Sequence, residues 1–277
     1  MQLAMIQDKI LPIENLDAHY LDRGIFFGDG VYEVIRSYNG KIFALEEHLQ
    51  RLSASLKAVE ITSISIDQVR SRVQKAFQTA AIANAKIYFH ITRGSGPRTH
   101  EWDVNLKPNF FLTITELHDE PDAKTKGIAV STHPDWRWKR CDIKSLNLLP
   151  NVLARQDAAK KGCQEAIFVD DKDLITEGAA SAFFAVFGNA LQTAPLTSNI
   201  LPSVTRKFVL KAAKDVGLQI IEQPLTPKQA SGADELFIAV TTKDIIPVVK
   251  FDNHPIADAT PGKYTQLLIQ KFHSFTL

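Results

Sequence analysis

The stretch Arg140-Cys141-Asp142-Ile143-Lys144-Ser145-Leu146-Asn147-Leu148-Leu149 sets one lysine among residues that read as bound for an interior: Ile143, Leu146, Leu148 and Leu149. An amine held in an apolar pocket loses ammonium solvation and gives up its proton more easily, as imine formation requires. The same placement also suits a surface lysine that opens a helix and snorkels its head into water. Further reactive types follow it. Ile175-Thr176-Glu177-Gly178 reads as a turn between two strands, and its carboxylate could face a protonated ring nitrogen or simply be solvated. Leu201-Pro202-Ser203-Val204-Thr205-Arg206 reads as a helix opening, whose free amides and hydroxyls suit a phosphate. Thr241-Thr242, at the end of an apolar run, offers a second pair of hydroxyls.

The first half carries its own candidates. Phe26-Phe27-Gly28-Asp29-Gly30-Val31-Tyr32-Glu33 places glycines on both sides of an aspartate, yet it leads into a strand, so it is no nucleotide-binding loop. Arg51 sits in the helical pattern His48-Leu49-Gln50-Arg51-Leu52, where a solvated arginine is ordinary. Arg98 and His100 stand two apart in the loop Arg93-Gly94-Ser95-Gly96-Pro97-Arg98-Thr99-His100. In an extended loop they project to one side, where they would make a carboxylate clamp or a basic surface.

These groups need a frame. Leu3–Ile6 and Lys9–Ile13 read as a hairpin, and so do Val31–Tyr38 and Lys41–Ala44 across Asn39-Gly40, a pair suited to a type I′ turn. Apolar residues at three- and four-residue intervals predict helices over 46–59 and 66–81. Strands are expected at 85–92 and 109–115. The proline-containing polar segment 118–126 is the natural linker, which divides the chain into 1–119, a linker at 120–125, and 126–277. Beyond it come strands at 128–132, 165–169, 181–187, 190–193, around 220, 236–240 and 247–251. Helices are expected over 145–161 and 202–216, each followed by glycine. Strands and helices mix without strict alternation, which predicts two α+β units.

A chain of 277 residues with 45% hydrophobic and 23% charged residues and a net charge of +1 is of globular type. That balance gives no reason to expect nucleic acid or an anionic membrane as partner. No window approaches the roughly 18 apolar residues of a membrane span. Two cysteines, Cys141 and Cys163, without a signal-peptide pattern predict a reducing cytoplasm, with neither disulfide nor metal site.

Taken in order, "FGDGVYE", "HLQRL", "RGSGPRTH", "RCDIKSLNLL", "TEGAAS", "ILPSVTR" and "DELFIAVTT" resemble the fold-type IV pyridoxal-phosphate enzymes over residues 3–272. The Arg98-x-His100 pair and "RCDIKSLNLL" are similar to the D-amino-acid aminotransferase branch. The resemblance implies a smaller N-terminal α/β sandwich, a larger pseudo-barrel-like C-terminal domain, and pyridoxal 5′-phosphate between them. It implies that Lys144 forms the Schiff base and moves the substrate proton, and that Glu177 holds the pyridine nitrogen protonated. It assigns Arg51, Val204, Thr205 and Thr241 to the phosphate. Tyr32, Arg98, His100 and Thr242 fall to the substrate, with the Arg98 loop supplied by the other subunit of a homodimer. The implied reaction moves an amino group between a D-amino acid, of the alanine, glutamate or aspartate type, and a 2-oxo acid. The lyase that releases pyruvate from aminodeoxychorismate shares the fold, lysine and glutamate. Branched-chain aminotransferases, which usually lack the Arg-x-His pair, and a cofactor-binding protein without activity complete the alternatives. Two departures stand out: Ala182 where relatives carry asparagine, and Val240 where a hydroxyl is common. Each lost hydrogen bond would weaken cofactor affinity by about 1 kcal/mol.

Overall fold

The computed structural model describes residues 2–197 and 199–277. The first half contains strands β1 (Leu3–Ile6), β2 (Lys9–Pro12), β3 (Gly30–Tyr38), β4 (Lys41–Ile42), β5 (Ala85–Thr92) and β6 (Asn109–Glu116). Its helices are α1 (Arg23–Phe27), α2 (Leu45–Ala58) and α3 (Ile66–Ala80). Apart from the β1–β2 hairpin, the strands form an antiparallel sheet in the order β4-β3-β5-β6. Val31 and Ile35 of β3 and Ile87, Phe89 and Ile91 of β5 pack against Leu49, Leu52 and Leu56 of α2 and Val69 and Val73 of α3. The alternation of the strands and the helical spacing thus meet in one core. Asn39 and Gly40 both have positive φ, 48° and 82°, as a type I′ turn demands. β4 stops at Ile42, short of the expected Ala44, because Ala44 adopts a left-handed conformation at the cap of α2.

The expected linker is instead a short helix, α4 (Pro121–Lys126), begun by its proline and ended at Gly127. Ala123 packs on the core beyond it, and Lys124 pairs with Asp244 at 2.8 Å. Then follow β7 (Ile128–Pro134), α5 (Leu149–Lys160), β8 (Glu165–Val169), β9 (Ile175–Gly178), β10 (Ala182–Phe187) and β11 (Ala190–Thr193). The chain continues with α6 (Val204–Asp215), β12 (Gln219–Glu222), α7 (Pro227–Ser231), β13 (Glu235–Val240), β14 (Asp244–Phe251), β15 (His254–Pro255) and α8 (Lys263–His273). These strands make one curled half-barrel sheet, β12-β11-β10-β13-β14-β7-β8-β9, with β15 beside β14. Both of its faces are covered. On β13, Leu236 and Ile238 enter one core with Val130, Ile167 and Phe251, while Phe237 and Ala239 enter another with Val209 of α6 and Leu268 and Phe272 of α8. That double burial gives the unbroken apolar run of β13.

Several local expectations are not met. The helix expected from Ser145 begins at Leu149, because residues 144–146 pair with β3. Ile143 accordingly belongs to the core of the small sheet, so the chain beyond the α4 boundary returns to the first half. Leu149, read as interior, is 69% exposed. Glu177 lies within β9 and not in a turn. The helix expected from Pro202 starts at Val204, capped by Ser203. Helix α8 lies outside every element expected from local spacing. Its N-terminus depends on a distant residue, Glu235, whose carboxylate accepts from Tyr264 N and Thr265 N at 2.9 and 2.7 Å.

Gly30 stands where the 144–146 segment crosses β3. A Cβ there would lie 2.7 Å from Ile91 O and 2.9 Å from Leu146 Cδ1. Gly30→Ala should destabilise the fold by about 1–3 kcal/mol through overpacking. Urea unfolding of the variant against the parent measures this, and an unchanged midpoint would contradict the crossing described.

Candidate active site

Lys144 owes its position to a seam between the two halves. Tyr32 N donates to Lys144 O at 2.9 Å and Leu146 N donates to Gly30 O at 3.0 Å, with Val31 and Ser145 opposed between them. Lys144 N in turn donates to Ser55 Oγ of α2 at 3.1 Å. With the backbone held on both sides, the half-buried side chain places Nζ 4.2 Å from the centre of the Tyr32 ring. It lines a cavity of about 660 Å³ that also receives Arg51, Glu177, Ser203, Thr241 and Thr242.

Glu177 reaches this cavity from the edge strand β9 and is 4% exposed. Arg137 Nη1 donates to its Oε1 at 2.5 Å, and Leu201 N donates to the same oxygen at 3.1 Å. Among the described residues no hydrogen bond falls on Oε2, which leaves that oxygen for a donor inside the cavity. Burial pushes the Glu177 carboxyl above its ordinary range, against the pull of Arg137, the Leu201 amide and the Lys144 charge. Cys141 also lines the cavity, and burial raises its thiol to about 11, which leaves it protonated at neutral pH.

The other end of the cavity is built for an anion. α6 opens there, with Ser203 Oγ capping Arg206 N at 3.1 Å and the first amides of Val204 and Thr205 at the positive helix end. Thr205 Oγ1 lies 3.5 Å from Thr241 Oγ1, just past the end of β13. Thr242 O accepts from Arg36 Nη1 at 3.2 Å, which fixes the turn. Arg51 comes from α2 and is buried, contrary to the ordinary expectation for its helix pattern. Its Nε and Nη2 donate to the two oxygens of Glu33 at 2.8 and 2.7 Å, and Nη1 to Pro202 O at 3.2 Å. His48 Nδ1 lies 2.7 Å from Glu33 Oε2. Facing a carboxylate acceptor, that nitrogen carries the proton, and burial lowers the His48 pKa so that the ring stays neutral.

The loop bearing Arg98 and His100 lies apart from this cavity. Both side chains are exposed and approach the same ring, that of Phe27, at 5.4 and 5.6 Å from its centre. The loop backbone is braced by buried Arg23, which donates to Thr99 O at 2.7 Å and His100 O at 3.0 Å. Asp29 anchors Arg23 and Arg93, each at 2.8 Å, which explains the aspartate between two glycines. The structure therefore brings Lys144, Glu177, Arg51, Thr205, Thr241, Thr242 and Tyr32 together, but not Arg98 and His100.

A donor set of this kind fits a phosphorylated pyridine aldehyde: an amine, a buried carboxylate with an open oxygen, and a hydroxyl-and-arginine end. The model of the amino-transferase class IV family matches residues 30–251. The chain belongs to the class IV aminotransferases. Among curated class IV relatives, a D-alanine aminotransferase of Bacillus licheniformis is 38% identical over 246 residues, covering 88% of this chain and 87% of that protein. One of Staphylococcus epidermidis is 33% identical over 277 residues, covering 99% and 98%. Among solved structures, the branched-chain amino acid aminotransferase of Escherichia coli superposes with a TM-score of 0.86 at 26% identity, covering 96% and 92% of the two chains.

Within this class IV site, sequence reasoning missed Arg137 and Asp135 as well as the Glu33–His48 pair behind Arg51. The alternation in Asp135-Trp136-Arg137 was their only local trace. Among the described residues no cluster of His, Cys, Asp and Glu suits a metal ion.

Glu33 carries the testable consequence of this geometry. Burial alone would raise its carboxyl, but Arg51, joined by His48, holds it at about 2 against an ordinary 4.5. A depressed carboxylate stabilises the fold above its unfolded pKa and loses that contribution as pH falls through the folded one. Wild-type stability should therefore decline between about pH 4.5 and 2 by on the order of 3 kcal/mol from this group. Glu33→Gln should lack that component in urea titrations over the same range. Identical pH dependence in both proteins would contradict it.

Proposed function

We propose that this class IV aminotransferase moves the amino group between D-amino acids, D-alanine foremost, and a 2-oxo acid, with pyridoxal 5′-phosphate as cofactor. The observation that carries the reading is the convergence of Lys144 and the open Oε2 of Glu177 on one cavity with an anion-binding end. Sequence likeness to D-alanine aminotransferases over nearly the whole chain, and the Arg98-x-His100 pair, support the D side. The bound cofactor would supply an aldehyde for an amine and a ring that accepts electrons when the substrate α-proton leaves. Lys144 Nζ would shuttle that proton between the substrate Cα and C4′ of the cofactor. Glu177 Oε2 would accept from the ring N–H and keep it protonated. Arg51, the Val204 and Thr205 amides, and Thr241 hold the phosphate. With Ala182 and Val240, two contacts are lost that relatives with hydroxyl or amide side chains would make.

We further propose a homodimer in the cytoplasm. Arg98 and His100 stand outside their own cavity, and the α5 flank of its mouth exposes Leu149, Val152 and Leu153 at 69, 59 and 49%. A second copy that covers this apolar flank and inserts its own Arg98 loop would complete a carboxylate clamp with Tyr32 and Thr242. Both cysteines are buried and free, in keeping with a reducing compartment.

The purified protein should form pyruvate from D-alanine and 2-oxoglutarate much faster than from L-alanine, and faster than from aminodeoxychorismate. Arg98→Ala should raise KM for D-alanine about thirtyfold, equivalent to about 2 kcal/mol, while the cofactor absorbance is unchanged. Equal rates with both enantiomers, or preferred release of pyruvate from aminodeoxychorismate, would overturn the reading.

A further inference from the structure

Arg137 and Asp135 lie behind Glu177, and neither enters the roles assigned above. Arg137 is a buried guanidinium with every arm engaged. Nε and Nη2 donate to the two oxygens of Asp135, each at 2.8 Å, and Nη1 donates to Glu177 Oε1 at 2.5 Å. Nη2 also reaches Thr176 Oγ1 at 3.2 Å and Asn199 O at 3.3 Å. Thr176 Oγ1 donates to Asp135 Oδ2 at 2.9 Å, and the face of the guanidinium lies 4.4 Å from the centre of the Phe168 ring. All three charged side chains are nearly closed to water, at 9, 7 and 6% for Asp135, Arg137 and Glu177.

We propose that Asp135 and Arg137 are positioning residues that set the charge and orientation of Glu177: Arg137 favours its ionised form, Asp135 limits that pull, and together they keep Oε2 turned to the cavity. The proposal rests on the cofactor reading above. Two carboxylates share one guanidinium here, so the set keeps one net negative charge. Arg137 alone, bonded to Glu177 as a simple pair, would cancel the charge that Glu177 must present to a ring nitrogen. Asp135 draws on the same guanidinium from its other edge and leaves Glu177 with charge to spare. Each group has a separable effect. Arg137 opposes the cost of burying Glu177 as an anion. Asp135 limits how far it does so.

The other charged or titratable groups that bear on Glu177 are few. Lys144 acts from the seam, Arg51 from α2, and Cys141 from the segment between Arg137 and Lys144. The Leu201 amide is the one uncharged donor beside Arg137 among the described residues. None of them donates to Glu177 from the side of Asp135. Removing Arg137 therefore leaves a buried carboxylate with a single neutral donor on Oε1.

The test uses the full-length protein with and without pyridoxal phosphate. Infrared spectra of Arg137→Met at neutral pH, differenced against the same variant carrying Glu177→Gln, should show a protonated carboxyl stretch that the parent lacks. Arg137→Lys, which keeps a cation but loses the fork, should restore the carboxylate in part. The acid limb of kcat against pH should move up in Arg137→Met, with about tenfold loss of rate for each pH unit of displacement. In Asp135→Asn the limb should move the other way, because Arg137 then pairs with Glu177 alone. If Arg137→Met does not fold, the direction of the Asp135→Asn displacement decides the question. KM for D-alanine should change little in either variant, since the Arg137 donors are engaged by Asp135, Glu177, Thr176 and Asn199. An unprotonated Glu177 in Arg137→Met, or an unmoved or upward-moved limb in Asp135→Asn, would overturn the proposal. The infrared signal is independent of turnover, so failure of the positioning role is distinguishable from failure to transaminate D-alanine.

Discussion

Two backbone hydrogen bonds between residues 144–146 and the start of β3 tie the halves of the molecule together at Lys144. Everything reactive is measured from that seam. The small sheet contributes Tyr32, whose own amide makes one of the two bonds and whose ring lies under the lysine amine. The curled sheet contributes Glu177 from one edge and Thr241 from the end of a central strand. Neither sheet could hold a cofactor alone. The Lys144 carbonyl is bonded to β3 and the Lys144 amide to Ser55 Oγ of α2, so the backbone is held on both sides of the side chain.

Around the seam, three sets of buried charged side chains are tied together by ion pairs. Glu33 is matched by Arg51 with neutral His48 beside it, Glu177 and Asp135 share Arg137, and Asp29 is matched by Arg23 and Arg93. Burying such groups costs several kcal/mol each unless partners return the energy, so one partner removed leaves a penalty larger than the bond itself. The sets differ in what they accomplish. The first holds Arg51 at the anion end, the second fixes Oε1 of Glu177, and the third braces the Arg98 loop through Arg23. Arg51 shows how the arrangement allows dual use: three of its donors are spent on Glu33 and Pro202, yet its position and charge remain at the cavity.

Much of this was legible in the sequence where local rules decide. Asn39-Gly40 announced its turn, β5 and β8 ran over the expected residues, and α2 and α3 followed from their apolar spacing. The order of short motifs sufficed for the family and for residues that share the cavity. What stayed hidden depends on partners far along the chain. Ser145–Leu148 has helix-like composition, but pairing with β3 overrides it. α8 is capped by Glu235, which sits in a strand before it. The polar composition of 118–126 read as linker, whereas ion pairs through Lys124 and Arg36 pin that segment in place. Arg137 could not be recognised as the partner of Glu177, because the two lie forty residues apart.

If the seam sets the reactive position, Lys144 and no other lysine should be the amine that carries the cofactor. Reducing the pyridoxal-phosphate-loaded protein with borohydride, then digesting it and mapping the peptides by mass spectrometry, tests this directly. The pyridoxyl group should be found on Lys144, in the peptide containing Ile143 and Ser145, at close to one per chain. A label on any other lysine, or no label from a protein saturated with cofactor, would contradict the account.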